Sequence, residues 1–157
     1  MSRELLIMRH AESGWDAASD FERTLTVQGQ DDATRMGAWL SQQSVAPDYV
    51  LASPAQRIRE TVAAVSQPLS LNSIHWEPAI YEASLSTLQQ LLLELPATAE
   101  QVLLVGHNPG VAELALQLSG GGIGGFSPAT IAWLSFEGET FEQGKMKQLI
   151  SPAMVQR

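Results

Sequence analysis

Three short apolar runs, each ending abruptly in polar residues, constrain this chain more than any other feature. Residues 4–8, 49–52 and 102–105 are continuous rather than alternating, the pattern of strands covered on both faces. Helical spacing follows each of them. Thr26 reads as the cap of a helix running to about residue 43, with Ala33, Met36, Gly37 and Leu40 on one face. Ser53-Pro54 reads as a cap plus first-turn proline, followed by Ile58, Thr61, Val62 and Val65 at i, i+3, i+4 and i+7. Ser86 reads as the cap of a helix carrying Leu88, Leu91, Leu92 and Leu95 and closed by Pro96. Asn108-Pro109 opens another, with Val111, Leu114, Ala115 and Leu118 facing inward. Residues 73–76 read as an edge strand ended by Pro78. Residues 130–136 and 146–150 read as two final strands, joined through the polar segment 137–144 as an antiparallel hairpin. Strands alternating with helices imply right-handed crossovers. The expected fold is α/β, a three-layer sandwich with a mainly parallel sheet and helices on both faces. With no repeat and no linker, residues 1–157 form a single domain.

Composition narrows the function. The formal net charge is -8, so a basic footprint for nucleic acid is missing in bulk. No apolar stretch approaches the roughly 18 residues of a membrane span, and the apolar run near the N-terminus is too short for a signal-peptide core; the expectation is a cytoplasmic protein. There is no cysteine, which excludes disulfides, thiol catalysis and cysteine-ligated zinc. The basic residues are seven arginines and only Lys145 and Lys147, a bias that suits bidentate contacts to oxyanions.

The polar residues at the strand ends carry the chemistry. The first apolar run ends in Arg9-His10, the second in Ser53 with Arg57 one turn on, the third in Gly106-His107-Asn108. In an open α/β sheet ligands bind outside the carboxyl ends of the strands. Two histidines, two arginines and the helix N-termini after Pro54 and Pro109 therefore meet on one edge, where they suit a compact dianion such as phosphate. A Walker lysine and a magnesium-binding carboxylate cluster are both missing. One imidazole can attack phosphorus in line while the cations neutralise the equatorial oxygens, and a covalent phosphohistidine lets water finish the reaction.

Arg9-His10-Ala11 is where a family resemblance becomes plain. The stretches Leu6-Ile7-Met8-Arg9-His10-Ala11-Glu12, Glu22-Arg23-Thr24-Leu25-Thr26-Val27-Gln28-Gly29, Leu51-Ala52-Ser53-Pro54-Ala55-Gln56-Arg57 continuing to Thr61, and Leu104-Val105-Gly106-His107-Asn108-Pro109 occur in order along most of the chain. Together they resemble the histidine phosphatase superfamily, which includes the cofactor-dependent phosphoglycerate mutases, and within it the short SixA-like phosphohistidine phosphatases. The resemblance implies a phosphoglycerate mutase-like fold and a hydrolase of phosphoric monoesters or phosphoramidates that needs no cofactor and no metal. It implies that His10 is the phosphorylated nucleophile, that Arg9 and Arg57 grip phosphoryl oxygens and that His107 stabilises the transition state. Arg23 is expected near the pocket mouth, with a loop ion pair as its other reading. Two changes from the common pattern, Thr24 for proline and Ile58 for alanine, touch no chemical group.

Four further positions carry two readings each. Glu82, in the stretch that matches the general acid of larger relatives, is a candidate proton donor or an exposed carboxylate. Ser53 is a substrate ligand or a helix cap, and Asn108 a substrate ligand or a turn former. Arg57 on its own could pair with Glu60 three residues on; in context it faces phosphate. His75 beside Trp76 reads as structural. SixA-like proteins generally lack a dedicated acid, which suits a labile P–N bond. The expected substrate is accordingly a phosphohistidine protein, with a small phosphorylated metabolite or a non-catalytic phospho-recognition role as alternatives. Two apparent motifs drop out. The G-x-G-x-x-G at 120–125 follows a helix instead of preceding one, and H-x-E at 10–12 lacks the cysteines of a zinc deaminase.

Overall fold

The strand-forming runs assemble into one six-stranded sheet in the computed structural model of the protein, which describes residues 2–155. In chain order the elements are β1 (Ser2–Arg9), α1 (Val27–Gln42), β2 (Tyr49–Ala52), α2 (Gln56–Val65), β3 (Ile74–Trp76), α3 (Leu85–Leu93), β4 (Gln101–Gly106), α4 (Gly110–Ser119), β5 (Ile131–Glu137) and β6 (Lys145–Ile150). The sheet order is β3-β2-β4-β1-β5-β6. β3, β2, β4 and β1 run parallel, β5 is antiparallel to β1, and β6 is antiparallel to β5. The mainly parallel sheet and the closing hairpin are as the sequence predicts.

Continuous apolar strands serve two cores at once because successive side chains point to opposite faces. Leu6 and Met8 of β1 pack with Met36 and Leu40 of α1 and with Ile58 and Val62 of α2. Leu5 and Ile7 pack on the other face with Leu88 and Leu92 of α3 and with Val111 and Leu114 of α4. The result is the three-layer α/β sandwich. Among the described residues no helix is long and apolar enough to cross a membrane.

Two helix starts differ from the sequence expectation. α2 begins at Gln56 with Ala55 as its cap position, so Ser53 and Pro54 lie outside the helix. α3 is capped by Ser84, whose side chain accepts from the Thr87 amide, two residues before the expected Ser86. The cap at Thr26 is as expected, with its hydroxyl accepting from the Gly29 amide at 2.9 Å.

The strand order positions the site. β1 crosses to β2, β4 later fills the place between them, and β5 lies on the far side of β1. The chain thus turns in opposite directions at β1 and β4, which is the topological switch point of an open α/β sheet. Register pairs Arg9 with Gly106, so the residues that follow, His10 and His107, leave the sheet side by side.

Candidate active site

Each candidate side chain is held from behind by the fold. His10 follows the last residue of β1; its amide donates to the Gly106 carbonyl at 3.1 Å, and the Ala129 amide donates to its carbonyl at 3.0 Å. The next amide, of Ala11, donates to Thr61 Oγ1 of α2 at 3.0 Å, and that hydroxyl donates to the Arg57 carbonyl at 2.7 Å. β1 and α2 are thereby fixed to one another where their functional residues emerge. Gly106 precedes His107 because there is no room for more: a Cβ there would lie 2.8 Å from Val111 Cγ1.

The cavity at this edge has a volume of about 480 Å³ and is lined by Arg9, His10, Arg23, Arg57, His107 and Asn108, together with Glu12, Asp20 and Glu82. His10, Arg57 and His107 are all buried, and the two imidazole centroids lie 5.6 Å apart. The sequence-predicted residues therefore converge, with one difference. Ser53 is fully buried behind His107, and its hydroxyl meets His107 Nε2 at 2.9 Å instead of the cavity.

Hydrogen bonding sets the tautomers. His10 Nδ1 lies 2.7 Å from the Ala11 carbonyl, which can only accept. Nδ1 therefore carries the proton, and Nε2 keeps its lone pair. At His107 the logic reverses. Arg57 Nη2 lies 3.2 Å from Nδ1 and can only donate, so Nδ1 is the acceptor and Nε2–H donates to Ser53. Burial, followed by the neighbouring guanidiniums, pushes His10 down to about 4; burial, then Arg57, pushes His107 down to about 3. Burial outweighs the Ala11 carbonyl, which acts in the other direction on His10. Both rings are therefore neutral near neutral pH.

The arginines are organised for an anion. Arg9 donates through Nη1 to the Phe126 carbonyl at 3.2 Å, and Arg57 donates through Nη1 to the Asp20 carbonyl at 2.7 Å. The Nε atoms of both are buried and have no hydrogen-bond partner among the described residues. A buried, unpaired guanidinium N–H is costly unless an oxyanion arrives to accept from it. Arg23 reaches the mouth because its segment is tied to the loop after His10: Gly14 N donates to Thr24 O at 2.9 Å, and Thr26 N to Glu12 O at 3.0 Å. Arg23 satisfies both of its readings, lining the cavity while pairing with Asp20 at 3.0 Å. Asn108 donates to the Phe126 carbonyl at 2.9 Å and so holds the segment beside Arg9. Glu82 is exposed at the cavity lip with φ 56°, in the left-handed region. Arg57 pairs with Asp20 at 3.1 Å, not with Glu60, which caps the Leu25 amide instead. His75 stacks on Tyr49, with centroids 4.1 Å apart, well away from the chemistry.

Asp20 was not legible in the sequence. Its carboxylate accepts from Arg57, Arg23 and the Tyr81 hydroxyl, and these donors, the Tyr81 contact foremost, hold it well below the ordinary carboxylate range. The same contact pushes the Tyr81 hydroxyl up to about 12. Tyr81 also stands edge-on to His107, with centroids 5.4 Å apart. Asp20 lies two residues ahead of the stretch that carries the family pattern, and its partners are 37 and 61 positions away. Only an acidic residue three before Arg23 hinted at a pairing.

Known proteins resemble this chain in sequence and fold. The sequence profile of the histidine phosphatase superfamily (branch 1) matches residues 5–104. A phosphohistidine phosphatase SixA homolog of Haemophilus influenzae is 34% identical over 149 residues, covering 88% of this chain and 91% of that protein. A chloroplast protein of Arabidopsis thaliana is 31% identical over 135 residues, 78% of this chain but only 62% of the relative's length. The solved structure of the protein histidine phosphatase SixA complexed with tungstate superposes with a TM-score of 0.83 at 31% identity, covering 96% of this chain and 97% of that one. The chain belongs to the histidine phosphatase superfamily, branch 1, as a phosphatase of the SixA-like kind.

Proposed function

We propose that this phosphatase hydrolyses phosphohistidine carried on a protein, through a covalent phospho-His10 intermediate, in the cytoplasm. One observation carries the reading: His10 Nδ1 is committed to the Ala11 carbonyl, which leaves Nε2 as an unprotonated nucleophile beside the buried, partner-seeking guanidiniums of Arg9 and Arg57. In the first step Nε2 forms a bond to phosphorus as the substrate's P–N bond breaks. The bond pair stays on the departing imidazole, whose other nitrogen already holds a proton, so a neutral ring leaves. In the second step water adds to phosphorus, the N–P pair returns to Nε2 and inorganic phosphate departs with the water's protons. Arg9, Arg57 and Arg23 balance the charge of the transferring group, and His107 donates to it from Nδ1 once the dianion has drawn a proton there, taken from water or shifted from the ring's own Nε2.

The test compares phosphohistidine protein with sugar phosphates for the wild type and His10→Ala, with and without chelator. Turnover of phosphohistidine that is lost in His10→Ala, with acid-labile and base-stable phosphate trapped on the wild type, is the expected result. Wild-type binding of phosphate without any turnover would replace the enzyme by a phospho-recognition module. A second reading, hydrolysis of small phosphate esters, rests on Glu82, which holds a left-handed backbone at the cavity lip where a proton donor for an alkoxide is needed. Glu82→Gln should then cut ester turnover sharply and leave phosphohistidine turnover intact.

A further inference from the structure

The cavity has a cationic base and an aromatic lip, and the family pattern accounts only for the base. Trp15 lines the cavity and yet is 79% exposed. An isolated indole left in water is a feature to be explained, because Trp is normally buried or kept for binding. Its ring is nevertheless held. The Arg23 guanidinium covers one face at 3.5 Å from the ring centroid. That guanidinium is itself fixed by three acceptors, the Gly14 carbonyl at 2.8 Å, Ser13 Oγ at 2.8 Å and Asp20 Oδ1 at 3.0 Å. The indole is thus pre-oriented on a rigid cation, with its other face toward solvent at the mouth. Trp15 is the aromatic residue of the cavity lining; Tyr81, edge-on to His107, and Phe21, edge-on to Tyr81, stand outside that lining.

We propose that Trp15 is a specificity-determining platform that stacks the planar ring of the leaving group. It selects phosphorylated imidazole or aryl groups over alkyl and sugar phosphates. The phosphoryl group occupies the arginine-lined base, so what departs from it must extend past the lip. A rigid aromatic held at that lip gives contact area to a flat ring at little entropic cost and gives a puckered polyol much less. Trp15 touches no reacting atom, and its contribution falls on binding. The inference rests on the phosphatase reading for its biological sense, but its test does not need turnover.

Phenylphosphonate and methylphosphonate share the anionic head and differ only in the ring, and neither is hydrolysed. Their binding to the wild type, Trp15→Ala and Trp15→Phe is measured by calorimetry. Trp15→Ala should weaken phenylphosphonate by about five- to tenfold and leave methylphosphonate within twofold, with Trp15→Phe recovering most of the loss. Equal weakening of both ligands would reduce Trp15 to a support for Arg23, and no weakening of either would remove it from the site; each result overturns the proposal. A turnover pair gives the second readout. Phosphohistidine peptide and phosphoramidate share the P–N bond, and only the peptide's KM should rise in Trp15→Ala. If the wild type turns over neither, the phosphohistidine reading fails while the phosphonate pair still decides the platform.

Discussion

At rest, His107 presents Nδ1 without a proton on the side where Arg57 lies, because its single proton is donated to Ser53. A phosphoryl oxygen cannot accept from a lone pair. The ring must therefore take a second proton or exchange tautomers when the anion arrives. Ser53 permits either, since its hydroxyl can accept from Nε2–H or donate to a bare Nε2. Ser53 is accordingly a positioning residue. Ser53→Ala should lower kcat by about tenfold with KM little changed, and Ser53→Thr should restore it. The ring nitrogen resonances of His107 should also move toward a tautomer mixture in Ser53→Ala. Unchanged kcat together with unchanged 15N shifts would leave Ser53 as a turn former only. The same scale explains a limit of the sequence. Ser53-Pro54 has the local chemistry of a helix cap, but the hydroxyl accepts from the Ala55 amide at 3.3 Å ahead of the helix and is shared with a buried imidazole 54 positions away. The local turn contact survives, and what no spacing rule contains is the long-range partner added to it.

The loop after β1 and the N-terminus of α1 show how elements, not residues, fix the mouth. Ser13 and Leu25 form an isolated antiparallel bridge, and α1 starts directly beneath it. The approach is so close that a Cβ on Gly29 would lie 2.1 Å from the Glu12 carbonyl oxygen. A backbone atom cannot yield as a side chain does. Gly29→Ala should therefore lower unfolding free energy by about 1–3 kcal/mol, as other overpacked sites do. It should also reduce activity, because Glu12 is two residues from His10. Urea unfolding at constant m-value measures the first effect; an unchanged midpoint would mean that helix and loop separate freely. Elements of this kind were the legible part of the fold. The burial of β1, β2 and β4 on both faces follows from continuous apolar runs, and the inward faces of α1 and α4 follow from their spacing. The start of α3 was not legible. Ser84 and Ser86 are equivalent locally, and what separates them is the left-handed turn at Glu82 that delivers the chain to Ser84. Asp20 was hidden for the same reason: a loop carboxylate acquires its meaning only when Arg57, Arg23 and Tyr81 converge on it.

For the molecule as a whole, an acidic chain of net charge -8 gathers three arginines and two buried imidazoles at one sheet edge. Filling that edge with neutral histidines links folding to pH. In the unfolded chain both rings titrate near 6.5, whereas in the folded protein they titrate near 4 and 3. Between those limits the unfolded state binds more protons than the native state. The two rings thus leave stability unchanged above about pH 6.5 and lower it steadily as the pH drops below that value. Asp20, whose carboxyl is held low, loses its contribution only in more acidic solution, below its ordinary value of 3.8. Urea midpoints between pH 7.5 and about pH 5 therefore isolate the histidines. The midpoint should decline across this range in the wild type, and the decline should flatten in His10→Asn/His107→Asn. An oxyanion such as tungstate should oppose the decline, both by binding only the native state and by favouring the charged imidazole of His107. The histidine resonances give the microscopic counterpart: without anion, neither His10 nor His107 should titrate between pH 8 and about pH 5, and saturating tungstate should raise the apparent midpoint of His107. A pH slope that survives in the double variant would locate the linkage elsewhere and would undo the account of two buried, neutral rings facing a cationic cavity.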